Sequence, residues 1–303
     1  MKLVDIIWAS RPLLHLPVWS IYLVALKYHN NLSGDSFDWI DLVMLAGLSF
    51  SAAAAYYVNQ IYDFETDRIN RKVGFLQSGI LEHIDMMKMY ILMSVLSLVT
   101  GALVSPLAFA IFLVLFVLGF IYSVPPLRLK DRPVSGLLAN AIGFGFLISI
   151  AVMPGMNFHN AGLLGWDNPF YFALTVGSIY LLTTIPDKKG DALAGKRTLG
   201  VVLPQTVVLL MALILVLASA YIAYYSRHVE LVYLSMISAV TIIGAMILRR
   251  DEAILIASKL PILLLTLLAG YFFWGYLLFI VAIIFSARIY YKKRFGIVYP
   301  KLA

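Results

Sequence analysis

The chain has 303 residues, 23 Lys and Arg against 16 Asp and Glu, no cysteine and a mean hydropathy of +0.90. With 62% hydrophobic and only 13% charged residues, against about a quarter charged in soluble domains, it is excluded as a soluble globular domain. Without cysteine it has no disulfide and no thiolate metal site.

A bilayer-spanning helix needs ~20 apolar residues, and uncharged stretches of that order recur along the chain. In chain order they predict helices over about 13–28, 39–62, 86–104, 106–124, 135–156, 169–186, 201–226, 230–249 and 261–289. The break between the third and fourth is set at Ser105-Pro106 and predicts a tight hairpin. The alternation of a β-barrel is absent, and lipid offers an open strand edge no partner. The first span has no small-residue cleavage site and leads into more spans, so it reads as a retained helix and not a signal peptide. The expectation is an all-α polytopic membrane protein: nine transmembrane helices in one bundle, forming a single domain over 1–303.

Placing the N-terminus in the cytoplasm puts most of the 23 basic residues on that side, as the positive-inside rule requires. The basic tail "RIYYKKRFGIVYPK" is the misfit, because nine spans leave it outside. A tenth span, made by breaking 253–289 near Gly270, would bring it in. The early helices weigh most in the rule, so nine spans are retained. Charge of both signs concentrates in three cytoplasmic loops, 63–85, 125–134 and 187–199.

In "VNQIYDFETDRINRK", residues 58–72, Asn59, Asp63 and Asp67 recur every fourth residue, which puts them on one face if the helix continues past the membrane edge. Like charges at that spacing repel and call for either a cation or basic neighbours, such as the Lys196 and Arg197 that follow the second pair below. In "TTIPDKKGDALAGKRTLG", Asp187 and Asp191 repeat Asp63 and Asp67 at one offset, 124 residues in each case. The chain therefore reads as two loosely related halves, each offering a carboxylate pair. All-oxygen ligands suit a hard cation such as Mg²⁺, which completes its shell with water and phosphate oxygens. The five histidines, His15, His29, His83, His159 and His228, lack zinc-ligand spacing. A diphosphate bridged by Mg²⁺ to both pairs, with its tail in the membrane, accounts for the pattern; the expected substrate is a polyprenyl diphosphate. The bland reading, solvated loops between spans, leaves the matched pairs unexplained.

These residues resemble the UbiA superfamily of intramembrane prenyltransferases. Its first motif, N-D-x-x-D-x-x-x-D, corresponds to Asn59 through Asp67, with Gln60 at the second position. Its second, D-x-x-x-D followed by G-x-x-T, corresponds to Asp187, Asp191, Gly195 and Thr198. Between them "YSVPPLRLK", Tyr122 to Lys130, resembles the family's Y-S-x-P-P-x-R-x-K loop. The chain departs from the family where an Arg-Pro pair commonly follows the first motif, reading "INRKVGFLQSG" instead. It also has Thr184 where many members carry an acidic residue.

The resemblance implies that Asp63, Asp67, Asp187 and Asp191 hold Mg²⁺, more than one ion bridged by the diphosphate. It implies that Lys130, Arg71 or Lys72, and Arg11 near the first helix stabilise the leaving diphosphate, with Arg128 and Lys188 as further candidates. Asn59 is expected to orient a phosphate oxygen or metal-bound water, or else to serve as a capping or interhelical amide. Tyr122 shields the allylic cation with its π face, or is an interfacial aromatic. Asn140 contacts the acceptor or bridges helices. "SAAAA" (51–55) and "GFG" (143–145) open a slot for the prenyl tail, or only pack helices closely.

The expected partners are a polyprenyl diphosphate, an apolar or aromatic acceptor and membrane lipid, with no nucleic acid and no obligate protein partner. The expected place is the cell membrane, with the N-terminus and the site on the cytoplasmic side. An aromatic quinone precursor is the first acceptor reading; a glycerol-phosphate lipid or carotenoid is the alternative. A transporter is the alternative of another class, but carriers keep ionisable groups near the midplane and these spans have none. A CDP-alcohol phosphotransferase would need a D-x-x-D-G-x-x-A-R run, which is absent.

Overall fold

A computed structural model describes residues 3–33, 37–69, 74–153 and 167–300. The chain opens with a short helix, α1 (Leu3–Ala9), which buries Asp5, Ile6, Trp8 and Ala9 and leaves Leu3, Val4 and Ile7 exposed. An exposed apolar stripe on a terminal helix suits the membrane interface. A 3-10 turn (Pro12–His15) leads into α2 (Leu16–Ser33), buried without interruption from Val18 to Leu26. A helix apolar on every side belongs in the middle of a bundle, and α2 lies there.

Asp38 caps α3 (Trp39–Tyr62), accepting from the amides of Ile40 and Asp41, while Asp41 accepts from the amide of Asp38. A short α4 (Phe64–Ile69) continues its course: the amide of Asp63 bonds Asn59 O and that of Asp67 bonds Asp63 O. α5 (His83–Val104) and α6 (Pro106–Ser123) form the expected hairpin, with Ser105 extended and capping Ala108. α7 (Pro133–Ile150) widens into a π turn over Ala141–Leu147. There Gly145 lies against the backbone of Phe172 and Ala173, where a Cβ would collide. α8 (Asp167–Leu193) carries the second motif in its last turns. The short α9 (Leu199–Val202), α10 (Gln205–Tyr225), α11 (Val229–Leu248), α12 (Asp251–Phe272) and α13 (Trp274–Phe295) complete the chain.

In the first half α3 packs on α5 and α6; in the second α10 packs on α8 and α11, and α12 links that half to α2. Burial against protein gains little over burial against lipid, so small residues and interhelical hydrogen bonds carry the packing. Ser20 on α2 meets Thr266 at 3.1 Å and Tyr276 at 2.9 Å, tying in α12 and α13. Ser235 donates to Tyr171 and pairs with Ser219, joining α11, α8 and α10. Such contacts average ~0.6 kcal/mol each.

Among the described residues nine helices are long and apolar enough to cross a bilayer, but they are not the nine ranges read from the sequence. The expected span 261–289 is two helices, reversing at Phe273. The expected first span corresponds to α2, which is outside the nine because its polar second half dilutes its hydropathy. The break sets the end of α13 beside α1: Tyr290 OH donates to Asp5 at 2.6 Å, and Arg294 contacts the same carboxylate at 3.1 Å. The basic tail therefore lies at the N-terminal side, which corrects its expected placement on the opposite face. The physical reason is at Gly270, where a Cβ would run into Leu277. Its absence lets α12 and α13 cross closely enough for the chain to reverse three residues later. The expected span 135–156 is helical to Ile150, and its end lies outside the described residues.

Candidate active site

The C-terminal ends of α3, α6 and α8 and the start of α7 meet at one end of the bundle. Carboxylates at the C-terminal ends of helices face the negative pole of the dipole. Asp63 closes α3, and Asp187 and Asp191 lie in the last turns of α8. Their mutual repulsion and the dipole both ask for cations, and the loops supply them.

The Tyr122–Lys130 loop turns back through Arg128, whose φ of 39° is left-handed. This costs about 1–3 kcal/mol for a residue with a Cβ and brings two bases onto Asp63. Lys130 Nζ is 2.8 Å from Asp63 Oδ1 and donates to Asn59 Oδ1 at 2.9 Å. Arg128 stands 3.8 Å from Asp63 and 2.8 Å from Asp131. The Lys130 side chain is only 6% exposed. Burial by itself raises the Asp63 carboxyl, but Lys130, Lys196 and Arg128 together outweigh it and hold it below the usual carboxylate range. Burial pulls the Lys130 ammonium below its ordinary value, with Asp63 opposing.

After α8 the chain reverses at Gly195, whose φ is +73°. The amide of Lys196 bonds Asp191 O at 2.9 Å, and that of Arg197 bonds Asp131 O at 2.9 Å, fastening the second motif to the loop between the halves. Thr198 Oγ1 donates to Asp191 Oδ2 at 3.2 Å. Lys196 Nζ then lies 3.6 Å from Asp63 and 3.7 Å from Asp191. Three loops distant in sequence thus converge on one ionic cluster.

The cluster caps a cavity of about 380 Å³ that descends into the bundle between α3, α6, α7 and α8. Asn59, Asp63, Lys130, Asp187, Asp191 and Lys196 line its polar mouth. Ala52, Ala55, Gly119, Gly143 and Phe144 line its walls, so the two small-residue stretches singled out in the sequence both face it. Val18, Leu48 and Ile148, all buried, stand at its apolar end. Tyr122 and Asn140 also line it, and Asn140 Nδ2 donates to Tyr122 OH at 3.1 Å and to Gly136 O at 2.8 Å.

The other sequence candidates divide between the cavity and its surroundings. Asp67 is buried but does not line the cavity, and Asp187 lines it while exposed. Lys188 is exposed and off the cavity. Arg11, left-handed at φ 56°, also lies off it. Arg71 and Lys72 lie outside the described residues. Gln60 is turned away from the cavity, donating to Ala9 O and Tyr56 O at 2.9 Å each and so docking α1 on α3. Thr184 lines the cavity but bonds only its own helix, at Leu181 O. Sequence reasoning noted Lys196 only as a base following the second carboxylate pair, without a site role, and missed Asp131 and Tyr180, the latter lining the cavity. The signal for Lys196 was its place among the basic residues that follow the second carboxylate pair; the other two carried none.

Among the described residues no three carboxylates or histidines form a preformed metal cage. The donors that face the cavity are carboxylate oxygens from both halves, Asp63, Asp187 and Asp191. That set fits Mg²⁺, which takes one or two carboxylates and fills the rest of its octahedron with water and phosphate.

The profile of the UbiA prenyltransferase family matches residues 16–253. A probable homogentisate phytyltransferase 2 of Oryza sativa subsp. japonica is 27% identical over 143 residues, 44% of this chain and 37% of the relative. A digeranylgeranylglyceryl phosphate synthase of Sulfurisphaera tokodaii is 23% identical over 224 residues, 70% of this chain and 76% of the relative. The chain thus spans less than half the length of the plant relatives it matches. A UbiA homolog from Archaeoglobus fulgidus, solved bound to GPP and Mg²⁺, shares the fold with a TM-score of 0.68 at 18% identity, over 88% of this chain and 98% of its own. The family match extends from the start of α2 through both carboxylate motifs to the first turn of α12, and on that ground the chain belongs to the UbiA prenyltransferase family.

Proposed function

We propose that the protein transfers a prenyl chain from a polyprenyl diphosphate to an acceptor within the membrane, with an aromatic quinone precursor as the acceptor. The observation that carries this reading is the meeting of Asp63, from the first half, with Asp187 and Asp191, from the second, at the mouth of one apolar cavity. The site lies at the end of the bundle that the positive-inside rule puts in the cytoplasm.

Mg²⁺, when bound with the substrate, draws electron density from the diphosphate and so assists departure of the leaving group. Asp63, Asp187 and Asp191 would hold it, with Asp67 one helical turn beyond Asp63 and off the cavity. Lys130 and Lys196 provide positive charge where the leaving diphosphate gathers it, in a setting with little water to screen them. The C1–O bond breaks with its electron pair going to the diphosphate, leaving an allylic cation. Tyr122, fixed by Asn140, presents a ring to that cation, and the apolar walls keep out the water that would quench it. An electron-rich carbon of the acceptor then bonds to C1 and sheds a proton. Three relatives named for aromatic prenyl acceptors favour this acceptor class. The archaeal relative, matched over a larger share of its own length, favours a glycerol-phosphate acceptor as the second reading.

Purified protein in detergent, given labelled geranylgeranyl diphosphate, Mg²⁺, homogentisate or a glyceryl phosphate lipid, is expected to release pyrophosphate and form a prenylated product. Net uptake of label into liposomes without pyrophosphate release would instead support a transporter.

A further inference from the structure

Two lysines serve the carboxylate cluster, and they are held differently. Lys130 is fixed: it sits at 2.8 Å from Asp63 and donates to Asn59 at 2.9 Å. Lys196 sits at 3.6 Å from Asp63, 3.7 Å from Asp191 and 4.0 Å from Asp131. Charge-assisted hydrogen bonds run at about 2.7–2.9 Å, so Lys196 is bonded to none of the three and centred among all of them. Its side chain is 13% exposed. Its backbone is pinned after Gly195 by the bond to Asp191 O, while its ammonium stands at the end of a flexible four-methylene stem.

We infer that Lys196 is a built-in stand-in for the metal. In the metal-free protein its ammonium neutralises Asp63 and Asp191 across the two halves; when a diphosphate arrives with its divalent ion, the ammonium leaves the carboxylates and turns to the phosphate oxygens. This rests on the metal–diphosphate reading above. It gives the site an order that its carboxylates alone would not impose. Bare metal must displace a resident cation and binds weakly, whereas metal with diphosphate offers the displaced ammonium a new partner and binds well. The two ligands become mutually dependent through one side chain.

The test uses Mn²⁺ and inorganic pyrophosphate as probes, on the full chain in detergent. Mn²⁺ binding without phosphate is followed by electron paramagnetic resonance, and pyrophosphate binding with saturating Mn²⁺ by calorimetry. In Lys196→Met the Kd for Mn²⁺ alone is expected to fall about tenfold, within the usual range for coupled sites. The Kd for pyrophosphate is expected to rise by a similar factor. Lys196→Arg, which keeps the charge, should bind bare Mn²⁺ as weakly as wild type. Lys196→Gln replaces Lys196→Met if the latter does not purify monodisperse, with the same expectation. A lysine with only a structural role would weaken both affinities together when removed. Unchanged or weaker Mn²⁺ binding in the neutral variants overturns the stand-in role alone; a wild-type protein that binds neither probe overturns both it and the reading beneath it.

Discussion

The two carboxylate motifs share a spacing and differ in almost everything around it. In the first half, α3 passes through a single turn residue, Asp63, into α4, and both Asp63 and Asp67 are buried. In the second, α8 runs on through Pro186, Asp187 and Asp191, leaving Asp187 exposed and Asp191 half-buried. Burial makes a carboxylate dependent on partners, because a buried charge left alone is costly. The first motif therefore has a dedicated cation, Lys130, locked by Asn59. The second shares a looser one, Lys196. On these contacts the first half is expected to act as a rigid wall of the site and the second to adjust to what binds.

The sharpest way to break that contrast is to remove one carboxylate from each half. Asp63→Ala and Asp187→Ala are both expected to lower turnover on the order of a thousandfold, read as pyrophosphate release, without loss of membrane insertion. Stability should separate them. Asp63→Ala leaves Lys130 buried without its counter-charge and should cost about 3 kcal/mol, seen as a lower thermal midpoint in detergent. Asp187→Ala removes an exposed side chain and should stay within about 0.5 kcal/mol of wild type. Equal destabilisation by the two would refute the picture of one rigid and one adaptable half.

A smaller effect is expected at Gly200, in α9 behind the second motif. A Cβ there would collide with the Thr184 carbonyl, so Gly200→Ala must push α9 off α8 and carry Thr198 and Lys196 with it. Overpacking of this kind costs about 1–3 kcal/mol, and turnover should fall with it. Gly244→Ala, on α11 where a Cβ meets nothing within 4 Å, serves as the neutral control.

How much of this was legible follows the range of the interactions. The one-face alignment of Asn59, Asp63 and Asp67 is a local consequence of helical period, as is the hairpin at Ser105-Pro106, and both were readable. The reversal at Phe273 was not. The uncharged run 260–287 looks like one span, but its two helices borrow Asp251–Lys259 and Arg288–Phe295, putting charged residues at their outer ends. Hydropathy measures an uninterrupted run and cannot see a glycine that lets two helices cross. Gln60 shows the same limit. As a motif position it reads as a departure; in three dimensions its amide fastens α1 to the site-bearing helix, which a carboxylate facing the Ala9 carbonyl would not do. Lys196 is visible in sequence as a base after the second carboxylate pair, but nothing there assigns it to Asp63, because basic loop residues are expected for topology alone. Only the fold brings residue 196 within reach of residue 63.

The smallest expected effect is at Thr184, and it bears on the adaptable half. Its hydroxyl bonds only the carbonyl of Leu181 within its own helix, at 2.7 Å, a back-bond that contributes little to helix stability. Thr184→Val replaces the hydroxyl with a methyl of similar size, so stability should change by no more than about 1 kcal/mol, the worth of one hydrogen bond. Turnover with a phenolic acceptor should stay within about twofold, well short of the 10²–10⁴-fold that a working general base contributes. A loss beyond tenfold, confined to the acceptor-dependent step, would show that this hydroxyl handles the acceptor's proton. The charge pattern argues against that role. An acidic residue at 184 would stand one turn below Asp187 on α8 and add a third like charge to that face, with Lys196 already shared among three carboxylates. A neutral residue at 184 keeps that additional charge off the second motif.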